Sequence, residues 1–307
     1  MRQKRRRNSF RKKVLSKWQL YVLMLPAVLY TLLFSYKPMY GILIAFQDFR
    51  IRRGIWGSEW VGFEHFERLF DSYWFPIILK NTLTLSTLGL TIGFPLSIIL
   101  ALLLNELRSE KFRTFVQTIS YLPHFISTVV MCGIITMFLS PNNGVINQFI
   151  SLFGGEKVYF MQKPEWFKWI YELSGVWQGV GWSSIIFYAA LSGVDSALLE
   201  AADIDGATRL QKIWYVNLPE IIPTIVVMFI LRCGSVLSVG YEKTYLLQNT
   251  MNLTGSEIIS TYVYKVGLEQ SDFSFSTAVG LFNTVVNCVI LFSANWLSKK
   301  VTKSGLF

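Results

Sequence analysis

Charge-free windows constrain this chain more than any other feature. Five stretches, 18–36, 81–105, 114–139, 173–194 and 273–298, contain no Asp, Glu, Lys or Arg, and a sixth, 221–241, contains only Arg232. An α-helix needs about 20 apolar residues to cross the ~30 Å hydrocarbon layer of a bilayer. Each window is close to that length or longer. Charged residues make up 16% of the 307 residues, against about 25% in soluble domains. A soluble globule, a disordered chain and a disulfide scaffold are thereby excluded. The windows predict an all-α, polytopic membrane protein with six transmembrane helices.

The charges that remain set its orientation. Nine Lys or Arg and no acid fall within residues 1–17, directly before the first window. A cleaved signal peptide fits poorly there, because the apolar run is too long and Lys37-Pro38-Met39-Tyr40 is not a small-residue cleavage site. With the N-terminus inside, the inside segments carry 17 Lys or Arg and the outside segments at most 11. Both termini are therefore expected in the cytoplasm of a cell whose plasma membrane holds the chain. The basic tail reads as a topology signal and a contact for anionic membrane lipid, not as a nucleic-acid site. The outside segments 47–74 and 140–169 are rich in Trp, Phe and Tyr, which suits the membrane–water interface, and a short helix is expected around 63–70. Cys132, Cys233 and Cys288 lie in apolar runs without paired spacing and read as small buried hydrophobes. Asn252-Leu253-Thr254 has the form of a glycosylation sequon.

The segment between the fourth and fifth windows, 195–219, is longer than a passive connector needs to be. Leu198, Leu199, Ala202 and Ile204 make one apolar face at helical spacing, and Leu210, Ile213, Trp214 and Val216 make another. Gly206 between them can bend the chain, and Pro219 should hold Leu218 extended before the next span. Two short amphipathic helices at an angle are predicted. Such a pair suits either docking into a groove of another protein or lying on lipid.

Glu200-Ala201-Ala202, Gly206, Val216 and Leu218-Pro219 stand at the spacing of the EAA signature, and the loop resembles that of membrane permease subunits of ABC importers. Val216 stands where the usual pattern has Ile. The likeness extends from about 73 to 296. Tyr121-Leu122-Pro123-His124-Phe125-Ile126-Ser127 and Trp177-Gln178-Gly179-Val180-Gly181-Trp182 are similar to the maltose-type carbohydrate permeases. Leu25-Pro26, Tyr36–Gly41 and Trp60-Val61-Gly62-Phe63 are more like permeases for polysaccharide-derived oligosaccharides.

The resemblance implies the type I ABC importer permease fold. It divides the chain into a basic cytoplasmic tail (1–17), a first transmembrane helix (18–46), an extracytoplasmic segment (47–75), a five-helix permease core (76–297) and a cytoplasmic tail (298–307). Residues 195–219 would be the coupling loop. Glu200, Ala201, Ala202, Asp205, Gly206, Leu218 and Pro219 would seat it on an ATP-binding subunit. The implied partners are two such subunits in the cytoplasm, a second related permease forming a heterodimer, an extracytoplasmic solute-binding protein and an oligosaccharide. ATP and Mg would be bound by the ATPase and no cofactor by this chain. The residues agree with that division of labour. There is no G-x-x-x-x-G-K-[ST] loop, no HExxH, no Cys/His metal cluster and no paired catalytic carboxylate.

A sugar site needs aromatic faces and hydrogen-bonding groups. By motif position the resemblance assigns His124, Thr128, Gln178, Gly179 and Trp182 to substrate binding, and the fifth window adds Arg232 and Ser235. Helix–helix packing is the competing role for each polar residue. Arg232 lies eleven residues past Ile221, about 16 Å into its span by helix rise. An ionisable group there faces a cavity or a partner. Its counterpart could be a uronate, an acid of a partner permease or backbone carbonyls. A permease for a non-sugar solute is the alternative reading. A secondary transporter is disfavoured because six spans can be drawn without one acid.

Overall fold

A computed structural model describes residues 17–302 and 305–306. The basic cluster at 1–16 and Lys303 lie outside the described residues. The chain opens with helix α1 (Trp18–Phe46), then a two-stranded antiparallel pair, β1 (Gln47–Asp48) and β2 (Glu59–Trp60), enclosing the single turn α2 (Gly54–Gly57). Helix α3 (Glu64–Phe70) falls where an interfacial helix was expected. It leads into α4 (Trp74–Asn105), α5 (Glu110–Phe125), α6 (Thr128–Phe138), α7 (Val145–Leu152), α8 (Pro164–Leu191), α9 (Ser196–Ile204) and α10 (Arg209–Cys233). Short helices α11 (Tyr241–Leu247), α12 (Leu253–Ser256) and α13 (Ile259–Tyr264) precede the last long helix, α14 (Phe273–Thr302).

Among the described residues, α1, α4, α10 and α14 are each long and apolar enough to cross a membrane unbroken. Two further pairs qualify only if each is one bent span: α5 with α6, bent by 97°, and α8 with α9, bent by 76°. The window 114–139 is thus not the straight helix expected of it. Pro123 closes a 3-10 turn at Leu122–Phe125, Ile126 is extended at φ −75° and ψ 127°, and the Ser127 hydroxyl caps α6 by accepting from Val130 N at 3.3 Å. Helix α8 starts at Pro164 rather than at 173, and so takes in Glu165 and Glu172.

Proline acts differently here from the sequence expectation. Leu218 is helical at φ −65° and ψ −47°, so α10 runs through Pro219 without a break. The five residues before it, Ile213–Asn217, form a π turn. The same offset recurs at Leu32–Tyr36 before Pro38 and at Gly89–Gly93 before Pro95. Proline lacks an N–H and its ring crowds the carbonyl four residues back. In each case that carbonyl lies inside the widened turn, which relieves the crowding without ending the helix.

Helix α4 is the central member. Its first third joins Leu69, Leu237, Ile259 and Phe275 through Ile78. Its middle meets Met131, Phe167 and Leu247 through Leu85, and its last turns meet Phe187, Leu191 and Ile221 through Ala101. The first two turns of α14 are pinned to α3 by the Arg68–Asp272 ion pair (2.7 Å) and by Arg68 lying over the Phe275 ring. Cys132 and Cys233 are buried as expected, whereas Cys288 is exposed on α14.

Candidate functional site

A cavity of about 300 Å³ opens where α4, α8 and the end of α10 meet. Its floor is glycine-rich because charged side chains occupy the space. A Cβ on Gly93 would sit 3.1 Å from Glu172 Oε1, and one on Gly175 would sit 3.2 Å from Lys243 Nζ. Glu172 is only 6% exposed. The Lys243 ammonium is also buried. It donates to the Tyr171 carbonyl at 2.5 Å and lies 4.3 Å from that ring's centroid. Arg232 lines the same cavity and has no salt bridge among the described residues.

Four of the expected substrate residues, Gln178, Gly179, Arg232 and Ser235, line this cavity. Gln178 has a structural bond as well, since its side-chain amide donates to the Ile126 carbonyl at the break between α5 and α6 (2.9 Å). His124, Trp182 and Thr128 stand apart from the cavity. His124 and Trp182 stack on each other with centroids 4.4 Å apart and planes within 5°, beside the same break. Arg232 is also placed differently along its helix. Because α10 begins at Arg209, Arg232 lies 23 residues along it, about 34 Å, one residue from its end. It belongs to the end of the bundle opposite residues 195–219.

Tyr171, Glu172 and Lys243 escaped the sequence reading. Defining spans by the absence of charge leaves Glu172 at the boundary of a span and Lys243 outside one. A periodic signal was present all the same. Glu172, Val176, Gly179 and Ser183 recur at helical spacing and all line the cavity.

At the other end, the loop 195–219 protrudes. Asp195 caps α9 by accepting from Ala197 N at 3.0 Å. Gly206 ends it at φ +73°, with Ala207 N bonding back to Ala202 O at 2.9 Å, the Schellman closure. Thr208 and Gln211 then form a capping box that starts α10. Lys212 and Asp203 bridge the bend at 2.7 Å. Glu200, Ala201, Asp205, Gly206 and Pro219 are exposed, while Ala202 and Leu218 are half-buried. Ile204 is 87% exposed and Leu210 68%, an apolar tip left uncovered by the described residues.

A third constructed region lies beyond the cavity, in residues 241–269. Asn252 is buried, and its side chain bonds Met161 O, Leu247 O, Asn249 N and Ser256 Oγ at 2.9–3.1 Å. Its amide is fully engaged, so the sequon is structural. Lys265 pairs with the buried Glu257 at 2.6 Å. Tyr245 donates to Glu269 at 3.0 Å, and that bond to a carboxylate raises the phenol above its ordinary range.

Residues 93–303 match the protein family described as binding-protein-dependent transport system inner membrane component. The polygalacturonan/rhamnogalacturonan transport system permease protein YteP of Bacillus subtilis is 48% identical over 96% of this chain and 92% of its own length. Protein LplB of the same organism is 44% identical over 95% of this chain and 91% of its own. Among solved structures, a chain of a bacterial alginate ABC transporter, in complex with an alginate pentasaccharide-bound periplasmic protein, superposes with a TM-score of 0.89. It is 44% identical over 96% of this chain and 99% of that one.

Proposed function

Since the chain belongs to the family of binding-protein-dependent transport system inner membrane components, we propose that it is the permease subunit of an ABC importer that passes an acidic oligosaccharide through the cavity beside Arg232. Arg232 carries this reading. It is a guanidinium without a salt bridge among the described residues, lining a chamber that also offers Gln178 and Ser235 as hydrogen-bonding groups. A guanidinium is shaped to take a carboxylate with two parallel hydrogen bonds, and a uronate supplies one on every sugar ring. The relatives named for polygalacturonan and for alginate point to the same class of cargo.

In this reading six spans cross the membrane, with α5–α6 forming one of them through its break. Both termini and the loop 195–219 face the cytoplasm, and α3, α7 and residues 241–269 face outward. A solute-binding protein delivers the sugar on the outer side. A second, related permease completes the path. Two ATP-binding subunits, which hold ATP and Mg, take the exposed tip at Ile204 and Leu210 with Glu200, Ala201 and Asp205 into a cleft. Closure of those subunits draws the loop inward. Helix α10 continues unbroken from Arg209 to Cys233, so the same movement is delivered to Arg232 at its other end.

The test is uptake by the reconstituted importer of galacturonate oligosaccharides and of neutral oligosaccharides of the same length. Arg232→Gln removes the charge and keeps hydrogen bonding. Charge-assisted bonds are worth about 1.5–3 kcal/mol, so uronide uptake should fall roughly tenfold to a hundredfold. Any neutral uptake should be nearly unchanged. Equal loss of both would refute the assignment.

A further inference from the structure

A second cavity, of about 530 Å³, lies against the first and shares Ser238 and Val239 with it as a common wall. That wall is the turn after α10. It is fixed by Asn287, whose side chain accepts from Leu237 N and donates to Ser238 Oγ, both at 2.9 Å. The far side of the cavity is α13 with the first turns of α14, starting from Phe273. In the orientation above this is the outer side of the charged chamber.

Its lining has the two components that sugar recognition requires. The first is aromatic. Tyr241 and Tyr264 line the cavity and are stacked, with centroids 5.1 Å apart and planes within 27°. Tyr245 buttresses Tyr264 edge-on at 5.2 Å and is held in turn by Glu269. Tyr241 remains 42% exposed. The second component is polar. Ser238, Ser260 and Ser276 contribute hydroxyls. Asn283 contributes a side-chain oxygen that is buried and has no hydrogen-bond partner among the described residues. An acceptor withdrawn from water without a partner costs about 1–3 kcal/mol, and a turn of the Asn283 amide into the cavity would let a hydroxyl of a bound molecule satisfy it. A lipid chain would leave that oxygen unanswered, whereas the three serine hydroxyls, already bonded to Val239 O, Phe273 O and Asn287, keep lone pairs that a sugar hydroxyl can use.

We propose that this second cavity is a sugar subsite, in which a pyranose ring packs on the Tyr241–Tyr264 pair and, as the Asn283 amide turns toward it, donates a hydroxyl hydrogen bond to Asn283 Oδ1, while the preceding ring occupies the chamber at Arg232. The proposal rests on the oligosaccharide reading above. Its consequence is a preference for length. A long oligosaccharide touches both cavities at once, whereas a disaccharide in the inner chamber does not reach the outer one.

The experiment uses the complete importer, with its partner permease, ATPases and binding protein, in liposomes. Galacturonate disaccharide and pentasaccharide serve as probes. For Tyr241→Ala the half-saturating concentration of the pentasaccharide should rise roughly two- to tenfold, the value of one aromatic contact. That of the disaccharide should hold, and Tyr241→Phe should match the wild type. Asn283→Leu gives the independent control. Removing an unsatisfied oxygen should leave thermal stability unchanged or raised, yet pentasaccharide uptake should weaken as for Tyr241→Ala. An equal effect on both probes, or none on either, overturns the subsite. If the wild-type importer carries neither probe, the oligouronide reading itself fails and the subsite falls with it.

Discussion

On the proposed reading, Gly206 isolates the backbone's contribution to coupling. It sits at φ +73° between α9 and α10, and an added Cβ would meet nothing within 4 Å. Substitution there creates no clash, so its cost is conformational alone. An L-residue in the left-handed region costs about 1–2 kcal/mol, and asparagine escapes most of it. Alanine should therefore deplete the bent loop by about five- to thirtyfold relative to straightened forms. Proline is worse, because its φ is fixed near −65° and it deletes the bond from Gly206 N to Asp203 O (3.1 Å). The assay is the ratio of sugar imported to ATP hydrolysed by the reconstituted importer, with membrane-inserted protein quantified alongside. Insertion should be equal for all variants, since Gly206 lies in the exposed turn between α9 and α10. The ratio should rank glycine and asparagine first, alanine lower and proline lowest. Asparagine as damaging as alanine would refute the left-handed argument, and proline with wild-type coupling would refute the loop's role.

Two further substitutions test the frame that carries the sites. Pro219→Ala restores an N–H and removes the ring, so the π turn Ile213–Asn217 should tighten and rotate α9 by roughly 100° about α10. Spin labels at Ile204 and Val289, both exposed, should report a changed distance, and an unchanged one would remove the link between proline and π turn. Asn252→Ala strands the groups now bonded to that side chain and should cost roughly 2–4 kcal/mol. The melting temperature of the detergent-solubilised protein should drop by several degrees, and an unchanged value would deny the network a stabilising role.

Residues whose environment is local were legible from sequence, and those whose environment is made by distant segments were not. Gly206 announces its own turn, since two helical patterns flank it, and the structure places it in the left-handed region between two helices. Pro219 carried an equally local rule and misled. What decides its conformation is whether the preceding turn can widen, and the amphipathic pattern of Leu210, Ile213 and Trp214 does not encode that. The cavity shows the same division. Gln178, Gly179 and Ser235 could be nominated one by one, but Glu172 and Lys243 line one cavity from 71 positions apart, and the first was taken for the edge of a span and the second for part of an outside segment. A reading that defines membrane helices by missing charge cannot place a charge inside the bundle. Here that bias concealed two of the three charged side chains around which the chamber is built. Arg232 was noticed only because its window had no other interruption. The charge deficit that identifies a membrane chain therefore also points to its working residues. Each charge kept near a span carries a desolvation cost and must be met by a carbonyl, an opposite charge or a cargo. Lys243 is met by Tyr171 and Glu257 by Lys265, while Glu172 and Arg232 share the cavity without a salt bridge among the described residues, and on the proposed reading a uronate answers the guanidinium.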